Sequence, residues 1–206
     1  FYQRSLTIEE AMREGAMLAW AMNGEDIPPP HGYPLRLIVP DWYGMTSVKW
    51  LDRITAVAEP FLGYQMMGTY RISTGPDDPG DPVELQWVRA LVRPPGIPDF
   101  TTRARLVRPG AVTLAGRAWA GRRDIARVEV SADGGESWAD AKLGARVSKY
   151  AWISWSFVWH AAPGRYGLVC RATDDAGDAQ PLAQAWNNQG MAKNMAQLID
   201  VLVEPE

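Results

Sequence analysis

Apolar and polar residues alternate most regularly in the second half of the chain. Ile153, Trp155, Phe157 and Trp159 fall on one face of a single run, while Ser154 and Ser156 take the other. A period of two is that of a half-buried strand. Similar runs recur about every ten residues, so strands are expected over residues 111–119, 125–131, 150–159, 166–173 and 197–203. Short strands at that spacing predict an all-β, immunoglobulin-like sandwich. In the fourth of them, Leu168, Cys170 and Ala172 share one side. Between the second and third, Ser131-Ala132-Asp133-Gly134-Gly135-Glu136-Ser137-Trp138 reads as a hairpin whose Asp-Gly-Gly supplies positive φ angles, a structural element rather than a site.

The first half is less regular. Thr7-Ile8-Glu9-Glu10 has capping-box spacing and predicts a short helix with Ile8, Ala11 and Met12 inward. The run 16–22 reads as a strand feeding the Asn23-Gly24 turn, and Pro28-Pro29-Pro30 predicts extended backbone. A buried strand is expected over 35–39, stopped by Pro40. After a loop centred on Gly44, another is expected over 48–57 with Trp50, Ile54 and Val57 in the core. Residues 75–82 are dense in Gly, Pro and Asp and predict an exposed loop, and Arg93-Pro94-Pro95-Gly96-Ile97-Pro98-Asp99 marks the expected domain joint. The resulting division is residues 1–98, an α+β part, followed by residues 99–206, the sandwich.

Composition narrows the function. A net charge of −3 over 206 residues gives no electrostatic reason to expect nucleic acid or an anionic membrane as partner. No apolar run is long enough to span a bilayer. The single cysteine, Cys170, has no intrachain disulfide partner and reads as a buried thiol. The chain opens at Phe1 without an initiator methionine, which suggests a processed or truncated polypeptide. Walker, GxGxxG, CxxC and HExxH motifs are absent from the sequence. His160 reads as a strand-end residue, and Glu9-Glu10 and Asp77-Asp78 as solvated pairs. Most of Trp119, Trp138, Trp152, Trp155, Trp159 and Trp186 are expected in the sandwich core, with the remainder and Met191 to Met195 suiting an interface.

The densest candidate chemistry lies in His31-Gly32-Tyr33-Pro34-Leu35-Arg36 and Gly44-Met45-Thr46-Ser47-Val48-Lys49-Trp50. Arg36 can fork onto phosphate oxygens, Lys49 adds a point charge, and Ser47 with nearby backbone N–H groups can complete an anion cradle. The competing reading pairs Arg36 and Lys49 with Asp41 and Asp52 and leaves His31 capping a turn.

The unbroken run from His31 to Leu51 resembles the signature of the sulfite oxidase family of molybdenum enzymes, and the likeness extends over nearly the whole chain, including Asn23-Gly24, Tyr70 and the stretch Trp186–Asn194. The resemblance implies that the first part is the end of a molybdopterin-binding domain and the second an immunoglobulin-like domain through which the protein forms homodimers. It places pterin contacts at His31, Arg36, Ser47, Val48 and Lys49, and the active-site tyrosine at Tyr70. It implies oxygen-atom transfer to or from a small oxyanion or similar substrate, with a separate electron acceptor such as a cytochrome.

Two departures from the family pattern qualify the expectation. The family's molybdenum-ligating cysteine lies far upstream of the His-Gly-Tyr-Pro segment. Cys170 cannot replace it, so no residue here is assigned to the metal, and the chain as given is expected to be inactive. Where vertebrate-type members read Trp-Asn-Leu-Arg-Gly, this chain has Trp186-Asn187-Asn188-Gln189-Gly190, a neutral amide in place of a cation. Met66-Met67-Gly68 is likewise less cationic than its animal counterpart. A rival from another class is a non-catalytic dimerisation or binding module. A hydrolase built on His31 or His160 lacks a nucleophile–base spacing.

Overall fold

The computed structural model describes residues 1–205. It divides into two compact units, one of Phe1–Gln86 with Ala185–Ala192, the other of Trp87–Gln184 with the chain from Lys193 onward.

In the first unit Thr7 caps a one-turn helix, α1 (Ile8–Ala11), its hydroxyl accepting from the Glu10 N–H at 3.2 Å. No residue of α1 is buried, so Ile8 and Met12 do not form the inner side expected of them. Strands β1 (Met17–Ala19), β2 (Ala21–Met22) and β3 (Glu25–Asp26) follow, with β2 and β3 joined through the Asn23-Gly24 turn. Strand β4 (Arg36–Ile38) pairs antiparallel with β1. A second one-turn helix, α2 (Tyr64–Met67), precedes the paired strands β5 (Arg71–Ile72) and β6 (Asp81–Pro82). The buried apolar residues here are few: Ile27, Val39, Trp42 and Val83.

Two further expectations fail in this unit. Pro29–His31 is a 3-10 turn rather than extended backbone. The segment 48–57 forms no strand, and Trp50, Ile54 and Val57 are exposed. Trp50 adopts φ 51, a left-handed conformation that a continuous ladder cannot contain.

The second unit is a sandwich. Strands β7 (Arg89–Val92), β8 (Ile97–Pro98), β9 (Arg105–Val107), β10 (Gly110–Trp119), β11 (Ile125–Ser131), β12 (Ala139–Asp140), β13 (Lys142–Leu143), β14 (Ile153–Ala161), β15 (Gly164–Asp174) and β16 (Ile199–Val203) form two sheets, ordered β13-β14-β10-β7 and β12-β11-β15-β16-β9-β8. Alternate residues of facing strands meet in one core built on Leu114, Val128, Trp155, Leu168 and Val201. Gly116 sits where a Cβ would lie 1.9 Å from the Leu91 carbonyl oxygen and 2.5 Å from the Trp155 ring, so only glycine fits between β7 and the tryptophan. Cys170 is fully buried, as the alternation predicts, and burial pushes its thiol up to about 12.

Of the six tryptophans assigned mostly to this core, only Trp155 and Trp159 are buried in it. Trp119 and Trp152 stack on each other with centroids 4.2 Å apart, Trp152 being exposed. Trp138 instead carries the Arg171 guanidinium 4.0 Å above its ring, and Arg171 also bonds the Glu129 carboxylate at 2.8 Å. Among the described residues no helix is long and apolar enough to cross a membrane.

Candidate cofactor and active site

The first unit positions its candidate cations by bonding them to the chain's own carbonyls. Arg36 opens β4 and donates through Nη1 to the His31 carbonyl at 2.7 Å and through Nη2 to the Ser47 carbonyl at 3.4 Å. Lys49 Nζ donates to the Pro30 carbonyl at 2.9 Å, and Trp50 Nε1 to that of Pro29 at 3.0 Å. Both cations therefore converge on the turn that carries His31. Their bonds run to neutral carbonyls rather than to the carboxylates of Asp41 and Asp52, and a neutral acceptor leaves a cation's charge in place to attract an anion.

Gly32 makes that convergence sterically possible. It has φ 115, and a Cβ there would stand 3.1 Å from the Cβ atoms of both Arg36 and Lys49. The Ser47 hydroxyl accepts from the Val39 N–H at 3.1 Å, and the Leu37 N–H donates to the Val48 carbonyl at 2.8 Å, which ties the 44–49 loop to β4. Two buried polar atoms of this region, Arg36 Nε and Thr46 Oγ1, have no hydrogen-bond partner. Unsatisfied buried donors are uncommon and cost roughly 1–3 kcal/mol each. Carbonyl-anchored cations, an exposed imidazole on His31 and unpaired polar atoms suit an anionic, hydrogen-bond-rich organic group such as a pterin phosphate.

Tyr70 follows α2 with φ 54, a left-handed conformation unusual for a bulky residue and of a kind concentrated at functional sites. Its carbonyl accepts from the Val83 N–H at 2.8 Å. Beside it, Arg71 donates to the carbonyls of Met66, Pro79 and Gly80. Gln189 reaches the same region, its Nε2 donating to the Gly68 carbonyl at 3.0 Å, while the Asn188 N–H donates to that of Ser73 at 2.8 Å.

Two further residues at this site are Tyr2 and Arg4, which sequence reasoning passed over. The Tyr2 hydroxyl donates to the Met45 carbonyl at 2.7 Å, in the loop that leads to Ser47 and Lys49, and it also interacts with the Tyr70 hydroxyl. Burial first, and then Tyr70, push the Tyr2 phenol up to about 12. Arg4 lies over the Tyr70 ring, 5.5 Å from its centroid, and donates through Nη1 to the Gln65 carbonyl at 2.6 Å. Tyr2 thus joins the cation-bearing loop to Tyr70.

Residues 1–65 match the family described as the oxidoreductase molybdopterin binding domain, and residues 97–203 the Mo-co oxidoreductase dimerisation domain. The chain is 32% identical to the mitochondrial sulfite oxidase of Macaca fascicularis over 218 residues, covering 99% of this chain and 40% of that protein. It is 30% identical to the sulfite oxidase of Arabidopsis thaliana, covering 92% and 52%, and 30% identical to the NAD(P)H nitrate reductase of Hordeum vulgare, covering 93% and 24%. Among solved structures, the sulfane dehydrogenase SoxCD of Paracoccus pantotrophus superposes with a TM-score of 0.81 at 26% identity, over 96% of this chain and 53% of that one. The chain therefore spans about half or less of each of these relatives. On these matches it belongs to the sulfite oxidase family of molybdopterin oxidoreductases.

Proposed function

We propose that this chain is the pterin-gripping and dimerising portion of an enzyme that catalyses oxygen-atom transfer at a molybdenum centre. The observation that carries the reading is the convergence of Arg36 and Lys49 on the His31 turn through neutral carbonyls. His31, Arg36, Ser47, Val48 and Lys49 hold the organic part of the cofactor. Arg36 and Lys49 neutralise its phosphate end, the His31 imidazole donates to its ring system, and Ser47 with the Val48 backbone sets the loop against it. When bound, the molybdenum–dithiolene group supplies the oxygen-atom transfer and redox chemistry, with a separate electron acceptor such as a cytochrome. Tyr70 is the catalytic residue of the chain: its hydroxyl orients substrate, and its φ of 54 is consistent with a side chain held for that task.

The first unit forms the end of an α+β cofactor domain, and the second, the sandwich, dimerises the protein. The 206-residue chain alone does not retain the metal, because its one thiol, Cys170, is buried in the sandwich and held protonated by that burial. Elemental analysis of the purified chain showing stoichiometric molybdenum would overturn that last statement.

The central reading is tested in the full-length protein. Arg36→Met and Lys49→Met should each weaken pterin retention by roughly tenfold or more, the scale of one charge-assisted hydrogen bond. Pterin content after gel filtration is the readout. Wild-type retention by both variants would leave only a dimerisation module, which sedimentation would register.

A further inference from the structure

The two sheets of the sandwich differ in charge. The six-stranded sheet mixes signs: Glu129, Asp174 and Asp200 share it with Arg127, Arg165 and Arg171, and Glu129 is paired with both Arg127 and Arg171. The sheet ordered β13-β14-β10-β7 shows no such mixture. Among the described residues, none of its four strands carries a carboxylate, although the chain as a whole has a net charge of −3.

Alternation decides which residues of this sheet face away from the core. On β7, Ala90 and Val92 are buried, so Arg89, Leu91 and, just past the strand, Arg93 face outward. On β10, Leu114 and Ala118 are buried and Arg117 is exposed. On β14, Trp155 and Trp159 are buried, and Ser154, Ser156 and Val158 take the outer side. Register sets these residues in rows. Exposed Lys142 of β13 is opposite Ser156, Ser156 is opposite Ala115, and the Arg93 N–H donates to the Ala115 carbonyl at 2.9 Å. Lys142 and Arg93 therefore end a floor of small side chains three strand spacings wide, about 14 Å between their backbones. In the next row Arg117 lies between Ser154 and Leu91. Beyond it Trp119 stacks on exposed Trp152, while Arg89, opposite Trp119, is committed to the Lys193 carbonyl at 2.8 Å.

Composition narrows what this face can meet. Lysine on an edge strand blunts unwanted pairing, which accounts for Lys142 alone. Arg117 is on a central strand and guards no edge. Arginine and exposed tryptophan, without Asp or Glu, make up the centre of protein–protein contacts. A second copy of this chain does not supply the complement. A two-fold contact sets a face against itself, and Arg117 would meet a surface without carboxylates. A polyanion followed along its backbone calls for a continuous cationic stripe, which Leu91, Val158 and the tryptophan pair interrupt here.

We propose that the outer face of the β13-β14-β10-β7 sheet is the docking surface of an acidic protein partner. The partner's carboxylates meet Arg93, Arg117 and Lys142, and its apolar side chains pack on Trp152. Dimerisation is left to other surfaces of the sandwich.

The probe is a labelled glutamate–tyrosine copolymer, titrated with the full-length protein and followed by fluorescence anisotropy. Saturable binding is expected, weakening as salt is raised. Arg117→Glu should weaken it roughly tenfold and Trp152→Ala severalfold. Arg165→Glu, the same charge change on the other sheet, should leave it unchanged. Sedimentation of Arg117→Glu should match wild type. None of these readouts uses the molybdenum centre, so they decide this face whether or not the pterin reading holds.

Equal weakening by Arg165→Glu would reduce the binding to unspecific charge and overturn the proposal. Heparin or poly(dT) bound through Arg117 and Trp152, with the copolymer left unbound, would overturn it too and give the face to a sugar or nucleic-acid polyanion. An altered assembly state in Arg117→Glu would assign the face to a contact between copies instead. Should Arg117→Glu fail to fold, the double variant of Arg93→Gln and Lys142→Gln carries the test, since both side chains are exposed. Wild-type affinity for the copolymer in that variant would sink the docking face.

Discussion

The two units of this chain are organised by opposite means. The sandwich buries Leu114, Val128, Leu168 and Val201 from facing strands in one continuous core. The first unit buries few apolar side chains and joins its segments through side-chain donors bonded to backbone carbonyls: Arg36 to His31, Lys49 to Pro30, Trp50 to Pro29, Tyr2 to Met45 and Arg4 to Gln65. Burial is non-directional and tolerates no chemistry in its interior. Carbonyl anchoring fixes cations in place while leaving their charge available. The difference teaches where stability and where reactivity reside in this molecule, and substitutions in each unit should separate the two.

The largest effect belongs to the core. Leu114 is 1% exposed on β10, and Leu114→Ala removes its contacts and leaves a cavity. Loss of about 3 kcal/mol or more of unfolding free energy is expected, as for other buried leucines, read by denaturant titration of the sandwich fluorescence. A change below about 1 kcal/mol would mean that the core can collapse around the gap and that the contrast drawn here is overstated.

Next comes the turn of the first unit. Gly32→Ala must adopt φ 115 and press a methyl to 3.1 Å of two Cβ atoms. A cost of roughly 1–3 kcal/mol is expected, concentrated in the 29–36 turn. Hydrogen exchange should show this as faster opening of the Gly32 and Leu37 amides, with the sandwich amides unchanged. Equal acceleration in both units would show that the turn is not an independently anchored piece.

A third effect is pH-dependent and belongs to a polar turn of the sandwich. The Asp133 carboxylate accepts from the Ser131 hydroxyl, from the Ser137 hydroxyl and N–H, and from the Glu136 N–H, which together hold it well below its ordinary value of 3.8. A carboxylate depressed in the folded state contributes stability above its unfolded pKa, and that contribution is lost as pH falls from there through the folded value. Asp133→Ala should therefore melt at lower temperature than wild type at neutral pH, with the gap narrowing on acidification below the usual aspartate range. A gap independent of pH would show that the turn depends on shape rather than on the charge.

How much of this could be read from the sequence follows the same division. Strands β10, β11, β14, β15 and β16 lie where alternation placed them, since burial on one face writes a period of two into the residues. The edge strands β8, β12 and β13 are two residues long, too short to carry a period. In the first unit, His31, Arg36 and Lys49 stood out by residue type, but their acceptors did not, because a backbone carbonyl has no sequence signature. The expected strand over 48–57 failed for that reason: bonds from Lys49 and Trp50 to Pro30 and Pro29 take the chain out of an extended path at Trp50. The contacts of Tyr2 with Met45 and of Arg4 with Gln65 span 43 and 61 residues, beyond any local pattern.

The smallest expected effect on stability is the sharpest test of the contrast. Lys49 is exposed, and its ammonium bonds one carbonyl and lies 4.6 Å from the centroid of the Trp50 ring. Replacement by methionine keeps much of the aliphatic stem against the tryptophan and lets water satisfy the Pro30 carbonyl, so unfolding free energy should change by less than about 1 kcal/mol. A core residue of the sandwich offers no such separation, because its contacts are its whole contribution. In Lys49→Met the charge is lost while the fold is kept, so weakened pterin retention at unchanged melting temperature would identify the ammonium as a binding group. If melting temperature and pterin retention fell together, the lysine would be a fastener of the His31 turn, and the division between an anchored, reactive unit and a buried, stable one would fail at the residue where it is most exposed to test.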